Sequence, residues 1–162
     1  MKNSAATSAL IACSLFLAMT VGTSFYEHMF GIPQMLKSPA ALNNTFANDL
    51  GQAQTYWIPL HALIFSSLVL SLIFNWKNST RKRWLVYSFI SYLYISIISI
   101  YFAKELFSFQ DLPDNLEFYQ RTNQWIMLSW HRPVLMLILE LFLLIALSKP
   151  TLQLTHQRFN IK

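Results

Sequence analysis

The stretch Trp57-Ile58-Pro59-Leu60-His61-Ala62-Leu63-Ile64-Phe65-Ser66-Ser67-Leu68-Val69-Leu70-Ser71-Leu72-Ile73-Phe74-Asn75 decides the fold. It is long enough to cross a hydrocarbon core of about 30 Å as a helix, which takes about 20 residues, and it carries no formal charge. Three further runs are similarly long and apolar: Ala6–Tyr26, Trp84–Ala103 and Met127–Leu147, the last carrying Arg132 and Glu140. In lipid a backbone must satisfy its own polar groups, and none of the four runs shows the period-2 alternation of a barrel strand. The sequence therefore predicts an all-α integral membrane four-helix bundle, residues 1–162 forming one four-span domain with spans at about 6–26, 57–75, 84–103 and 127–147. Composition agrees: 54% of the residues are hydrophobic and 12% charged, against about 25% charged in a soluble globule. Mean hydropathy is +0.37.

The same numbers exclude several functions. Three glycines, Gly22, Gly31 and Gly51, are too few and too scattered for a dinucleotide fingerprint or a phosphate loop. One cysteine, Cys13, excludes a disulfide framework, a thiolate zinc site and a dithiol redox pair.

Orientation follows from the cations. The connector Asn75–Arg83 holds Lys77, Arg81, Lys82 and Arg83 and no acid; Lys2, Lys149, Arg158 and Lys162 flank the first and last spans. Eight of the twelve Lys and Arg residues thus fall on one side, the side that retains positive charge, so both termini are expected in the cytoplasm. The net charge of +5 reads as this topology signal, and a nucleic-acid partner is not expected. Lys2 before an apolar stretch resembles a signal peptide, but no small-residue cleavage site closes the run, so the first span is expected to be kept. The bilayer is the expected partner, and a bacterial inner (plasma) membrane the expected location.

The two longer loops carry helix signals of their own. Ser38-Pro39 is a cap followed by a first-turn proline, and Leu42, Phe46 and Leu50 recur at four-residue spacing, which predicts a short amphipathic helix. Asp111-Leu112-Pro113-Asp114 predicts a turn from which a new helix runs into the fourth span, bent at Pro133.

The few polar side chains sit at telling depths. At about 1.5 Å rise per residue, His61 and His131 lie about 7 and 9 Å from the midplane on the same side. Glu27 and His28 close the first span, and Glu105 the third. Cys13, Phe16, Thr20, Ser24 and Glu27 form one stripe of the first span; Tyr87, Ser91, Tyr94, Ile98, Tyr101 and Glu105 form one stripe of the third. If both stripes face inward, His61 and His131 line one polar chamber with Glu27 and Glu105 at its mouth. Serine, threonine and tyrosine also serve as packing glue between membrane helices, and tryptophans near span ends as interfacial anchors. Glu140 interrupts the fourth span near the midplane, where an ionised carboxylate costs about 2.5–3.5 kcal/mol. It is expected to be buried against other helices and neutral, either as a structural hydrogen-bonding group or as a proton relay or substrate contact.

The run Gly22–Glu27 followed by Ile32-Pro33, then Ser38-Pro39, Trp57-Ile58-Pro59-Leu60, the Arg81/Arg83 connector, Tyr101-Phe102, and Trp125, Trp130 and Arg132 resembles the anthrone oxygenase-like family of small four-span membrane proteins. The resemblance implies oxidation of a lipophilic polycyclic aromatic compound by molecular oxygen, without an obvious cofactor. Such chemistry needs a base to generate a carbanion and a positive or hydrogen-bonding pocket to hold it. His61 or His131 would be the base, with Arg132 and Tyr101 stabilising the developing negative charge, and Glu27, His28, Glu105 and Glu140 as further polar cavity residues. Two other readings stand beside it: a haem- or metal-binding redox module using His61 and His131, perhaps with Glu27 or His28, and a non-catalytic accessory or packing protein.

The topology has a direct test. A cysteine introduced at Asn44 or Asn115 should be modified by a membrane-impermeant thiol reagent applied to intact cells, and one at Ser79 spared; labelling at position 79 alone would reverse the orientation.

Overall fold

The computed structural model describes residues 2–48 and 50–150, with side chains over 4–48 and 55–150. Among these residues the chain is helical throughout, without strands: α1 (Lys2–Tyr26), a π turn (Glu27–Gly31), α2 (Ile32–Met35), α3 (Pro39–Asn48), α4 (Leu50–Phe74), α5 (Ser79–Ser108), a 3-10 turn (Phe109–Asp111), α6 (Leu116–Ser129) and α7 (His131–Ser148). Four helical stretches are long and apolar enough to cross a membrane: Ser4–Met35, Thr55–Phe74, Ser79–Asp111 and Leu116–Ser148. This is the architecture of a multi-pass membrane protein.

The spans outrun their expected ends. The first does not stop at Tyr26 but continues through the π turn to Met35. Pro33 has no N–H to offer the carbonyl of Met29, and its ring crowds that carbonyl, so an unbroken α pattern is not available there. The chain instead widens by one residue, with the Ile32 N–H donating to the Glu27 carbonyl. A single π turn of this kind rotates the side chains beyond it relative to those before it. The second loop behaves as expected from its turn signals. Asn115 caps α6 by accepting the Phe118 N–H at 3.2 Å, and α6 passes into α7 at Trp130. Ser38 likewise caps α3, its hydroxyl accepting the Ala41 N–H at 3.2 Å.

The helices pack in the order α4, α1, α7, α5, with α4 and α5 closing the ring. Each contributes a seam at three- and four-residue spacing: Leu10, Cys13, Leu17 and Thr20 from α1; Leu60, Ile64, Leu68 and Ser71 from α4; Leu85, Ser88, Tyr92 and Ile95 from α5; Met136, Leu139, Leu143 and Ala146 from α7. That spacing keeps one stripe of each helix on its neighbours over several turns. A second cluster of Leu36, Leu42, Phe102, Phe109, Phe118 and Trp125 closes the end away from the connector, where α3 and α6 lie and where the Trp125 indole N–H donates to the Phe102 carbonyl at 3.1 Å.

The connector end is held by a polar node. Arg81 is only 4% exposed although it belongs to the cationic connector. Its Nε donates to the Lys149 carbonyl at 2.9 Å, Nη1 to Thr7 Oγ1 at 3.2 Å and to Asn75 Oδ1 at 3.5 Å, and Nη2 to the Leu147 carbonyl at 3.5 Å. The side chain of Asn75 donates to the Ala6 and Ser71 carbonyls, and that of Asn78 to the Pro150 carbonyl. A helix leaves its last carbonyls without intrahelical partners and carries negative partial charge there, so a guanidinium against the end of α7 satisfies both needs.

Arg81→Met should therefore lower stability by about 2–3 kcal/mol, the range for hydrogen bonds to a charged group, in a reversible unfolding titration in detergent. Lys77→Ala, an exposed cation of the same connector, should stay within about 0.5 kcal/mol of the wild type. Equal effects of the two would remove the node from the account.

Candidate functional site

Where the π turn, α2, α3, α4, α5 and the α6–α7 segment converge at the end away from the connector, they line an open cavity of about 680 Å³, within the range of pockets that take drug-sized molecules. Its charged and polar lining includes Glu27, Gln34, Lys37, Asn44, Ser99 and Arg132; Met35, Phe46, Trp57, Leu106 and Trp125 supply much of the apolar wall.

Each charged group is placed by a local feature. Glu27 begins the π turn, and Oε1 of its carboxylate accepts the Trp57 indole N–H at 3.2 Å. Trp57 thus does more than anchor a span end. Arg132 sits one residue before Pro133 at the α6–α7 junction, and its buried Nε has no protein partner. Glu27 and Arg132 attract one another across the cavity, but they are not within the 4.0 Å of an ion pair; the ion pair among the described residues is Arg121–Glu117 at 3.9 Å, on the surface of α6. One carboxylate, Glu27, and two cations, Arg132 and Lys37, therefore face one hollow, and Glu27 and Arg132 do so without forming a direct ion pair.

The histidines are placed differently from the expected chamber. His61 pairs through Nδ1 with the Tyr92 hydroxyl at 2.9 Å, that hydroxyl also reaches the His61 carbonyl at 3.2 Å, and the ring stacks on Trp57. It stands behind Trp57, close enough to Arg132 to feel its charge, but does not line the cavity. His131 bonds through Nδ1 to the Leu128 carbonyl and packs on Phe102 at 5.1 Å; it too is outside the lining. His28 is buried, held by the Ser24 carbonyl at 2.8 Å and packed on Trp130 at 5.3 Å. Glu105 is half-buried, its carbonyl accepting the Ser108 hydroxyl, and it is absent from the lining although its neighbour Leu106 contributes.

The two polar stripes divide. Cys13, Thr20 and Ser24 are buried as expected, leading to a half-buried Glu27. The α5 stripe faces the other way: Tyr87, Tyr94 and Tyr101 are 48%, 55% and 64% exposed, so Tyr101 points away from the cavity. The buried seam is the neighbouring one, Leu85-Ser88-Tyr92-Ile95, with the same spacing. A helix surrounded by lipid has no water-facing side to betray its register, and tyrosine suits an exposed position in a bilayer as well as a buried one. Tyr92 and Ser99 carried no signal beyond lying on α5, Asn44 none beyond lying on α3, and Lys37 none beyond its place in the turn before Ser38.

Glu140 lies apart from the cavity, in the other half of the bundle. It is buried, 8% exposed, and its Oε1 accepts the Ser14 hydroxyl. Among the described residues no group of three or more His, Cys, Asp or Glu side chains is gathered closely enough to hold a metal ion.

Comparison with models of protein families, with curated proteins and with solved structures finds no match to this chain.

The polar contacts away from the cavity divide into those that hold the bundle and those that do not. Ser14→Ala strips Glu140 of its bond and should cost about 1–3 kcal/mol, the penalty for leaving a buried polar group unsatisfied. Tyr101→Phe, which alters only an exposed hydroxyl, should fall within about 0.5 kcal/mol of the wild type. Both are measured by reversible unfolding in detergent.

Proposed function

We propose that this protein binds a lipophilic aromatic small molecule in the cavity between Glu27 and Arg132 and turns it over by oxygenase-like chemistry, in a bacterial inner membrane with both termini cytoplasmic. The observation that carries the reading is the unneutralised pair: a carboxylate and a guanidinium line the same largely apolar hollow without meeting. Pockets of this make-up recognise a mostly apolar molecule by a few convergent polar groups. A polycyclic aromatic ketone with an acidic methylene fits both parts. Its rings would lie against Trp57, Phe46 and Trp125, and its oxygen toward Arg132.

The chemistry follows from the charges. Glu27 takes a proton from the methylene, and Arg132 holds the oxygen of the resulting enolate, whose charge develops there as the proton leaves. The electron-rich carbon then reacts with molecular oxygen. One oxygen atom remains as the new carbonyl and the other leaves as water with the two methylene hydrogens. Glu27 replaces His61 and His131 as the base in this scheme because it lines the cavity and they do not. Trp57, donating to the carboxylate, fixes its orientation.

A second reading keeps the ligand and drops the reaction. The carboxylate that would act as base already accepts the Trp57 N–H, which weakens it as a base and favours a binding or accessory protein without turnover. One experiment separates the two. Purified protein in lipid nanodiscs is mixed with anthrone in air-saturated buffer, and ligand binding is followed by quenching of tryptophan fluorescence while anthraquinone formation is followed by absorbance. The oxygenase reading expects binding and turnover, with turnover reduced at least about a hundredfold in Glu27→Gln, the usual contribution of a general base. In Arg132→Gln both binding and turnover should weaken. Binding without turnover selects the second reading, and the absence of both overturns the proposal.

A further inference from the structure

The polar groups in the connector half of the bundle form a file that none of the cavity chemistry uses. Asn75 on α4 meets the Ala6 carbonyl on α1 at 3.4 Å, which sets the two helices level at that point. Ser67 stands eight residues before Asn75 and Ser14 eight residues after Ala6, so both lie about 12 Å further into the bundle. Ser14 donates to Glu140, and Cys13, its neighbour in α1, lies close to Ser67 and to Glu140. The carboxyl of α7, a hydroxyl of α1, the thiol beside it and a hydroxyl of α4 therefore share one level inside the apolar layer.

From that level a single face of α4 leads back to the connector. Ser67, Ser71 and Asn75 follow at four-residue spacing, on one side of the helix, and all are buried, at 8%, 0% and 3% exposure. Two polar atoms along this route make no hydrogen bond to protein: Oε2 of Glu140 and Oγ of Ser71. The second differs from Ser67, Ser88 and Ser129, which return their hydroxyls to a carbonyl of the preceding turn at 3.0, 2.9 and 3.0 Å, and from Ser14, which donates to Glu140. A hydroxyl that withholds itself from its own helix has a donor and an acceptor to offer. Buried polar atoms without protein partners are commonly served by water.

We infer that Glu140 is an intramembrane proton-binding site, and that its proton exchanges with the connector side of the membrane through the file Ser67–Ser71–Asn75. The neutral acid passes its proton to water held at Oε2; the proton moves along Ser71 Oγ toward Asn75 and leaves beside Thr7 and Arg81, and a proton arriving by the same route restores the acid. Arg81, engaged with carbonyls and with Asn75, puts a fixed positive charge at the exit. That charge raises the barrier for every cation, an excess proton included, and so slows the exchange at this end of the file. The titratable groups on this side of it are Cys13 of α1, which interacts with the carboxyl, and Tyr92 of α5, which interacts with Cys13; the spanning stretches of α1, α4, α5 and α7 bring no lysine or arginine to its level. Toward the cavity end Leu17 and Thr20 of α1 are fully buried, and the Thr20 hydroxyl is returned to the Phe16 carbonyl at 2.9 Å, so Thr20 offers no free hydroxyl proton on that side.

Infrared spectroscopy tests this on the full chain in liposomes. The carbonyl stretch of the protonated carboxyl is assigned by its loss in Glu140→Gln, and its shift is timed after transfer to heavy water. Wild-type exchange should be complete before global unfolding can account for it. Ser71→Val should slow exchange at least about tenfold, the effect of a modest added barrier, and Thr20→Val should leave it unchanged. If Ser71→Val does not fold, Ser71→Cys keeps the volume with a weaker donor and should slow exchange in the same direction. The inference fails if no protonated carboxyl band disappears in Glu140→Gln, if the Ser71 variant exchanges as fast as the wild type, or if Thr20→Val slows exchange as much.

Discussion

A guanidinium buried at the end of four helices is the interaction on which the rest of the arrangement depends. Within a bilayer every donor and acceptor must find its partner in the protein, and helix ends are where the backbone itself falls short. Arg81 meets this need at one point for several elements, drawing the last carbonyls of α7, Thr7 of α1 and Asn75 at the end of α4 onto one planar fork of donors. A lysine offers a point charge, whereas the fork of an arginine addresses several acceptors in fixed directions. With the connector ends of the helices fixed, their seams meet in one register, and the depth of every later side chain follows from counting turns.

The other end of the molecule is built on the opposite principle. There the helices are interrupted: α1 by the π turn at Glu27, the last span by the junction at Trp130 just before Pro133. Each interruption releases backbone regularity where a charged side chain is presented, Glu27 in one case and Arg132 in the other. Irregular backbone at membrane depth is tolerated where it is buried in protein or lines a cavity, and here it does the latter. The helices close tightly at the node and part around a hollow at the far end. The α3 segment and Trp125 form part of the wall of the hollow.

Glu140 belongs to neither end. Its cost in the apolar layer is met on one oxygen by Ser14 and left open on the other, and the open side continues into the small polar residues of α4. Small hydroxylated residues let membrane helices approach closely, and in α4 they also provide a line of polar atoms where larger apolar residues would have sealed the interior. The same three residues can therefore act in packing and in proton access, and Ser71 separates the two roles because its hydroxyl takes no part in its own helix.

The sequence by itself determined the number of spans, the helical class, the short helix behind Ser38-Pro39, the turn before α6 and the burial of Glu140, because each follows from local composition and from the cost of polar groups in lipid. It also made Cys13, Thr20 and Ser24 an inward stripe, since a row of small polar residues on a long apolar helix has little reason to face hydrocarbon. Only the tertiary structure decided which of two equally spaced stripes of α5 faces inward, and it chose Tyr92 over Tyr101, because aromatic hydroxyls and apolar side chains are both acceptable on a lipid-facing surface. It alone decided that Arg81 is a buried clamp while Lys77 is exposed, a difference fixed by where the end of α7 arrives. The pairing of Glu27 with Arg132 across a cavity was beyond the sequence for the same reason. Residues 105 positions apart come together only through the phase of two helices, and both helices are re-phased by a proline whose effect on the turn before it depends on what the neighbouring helices leave room for.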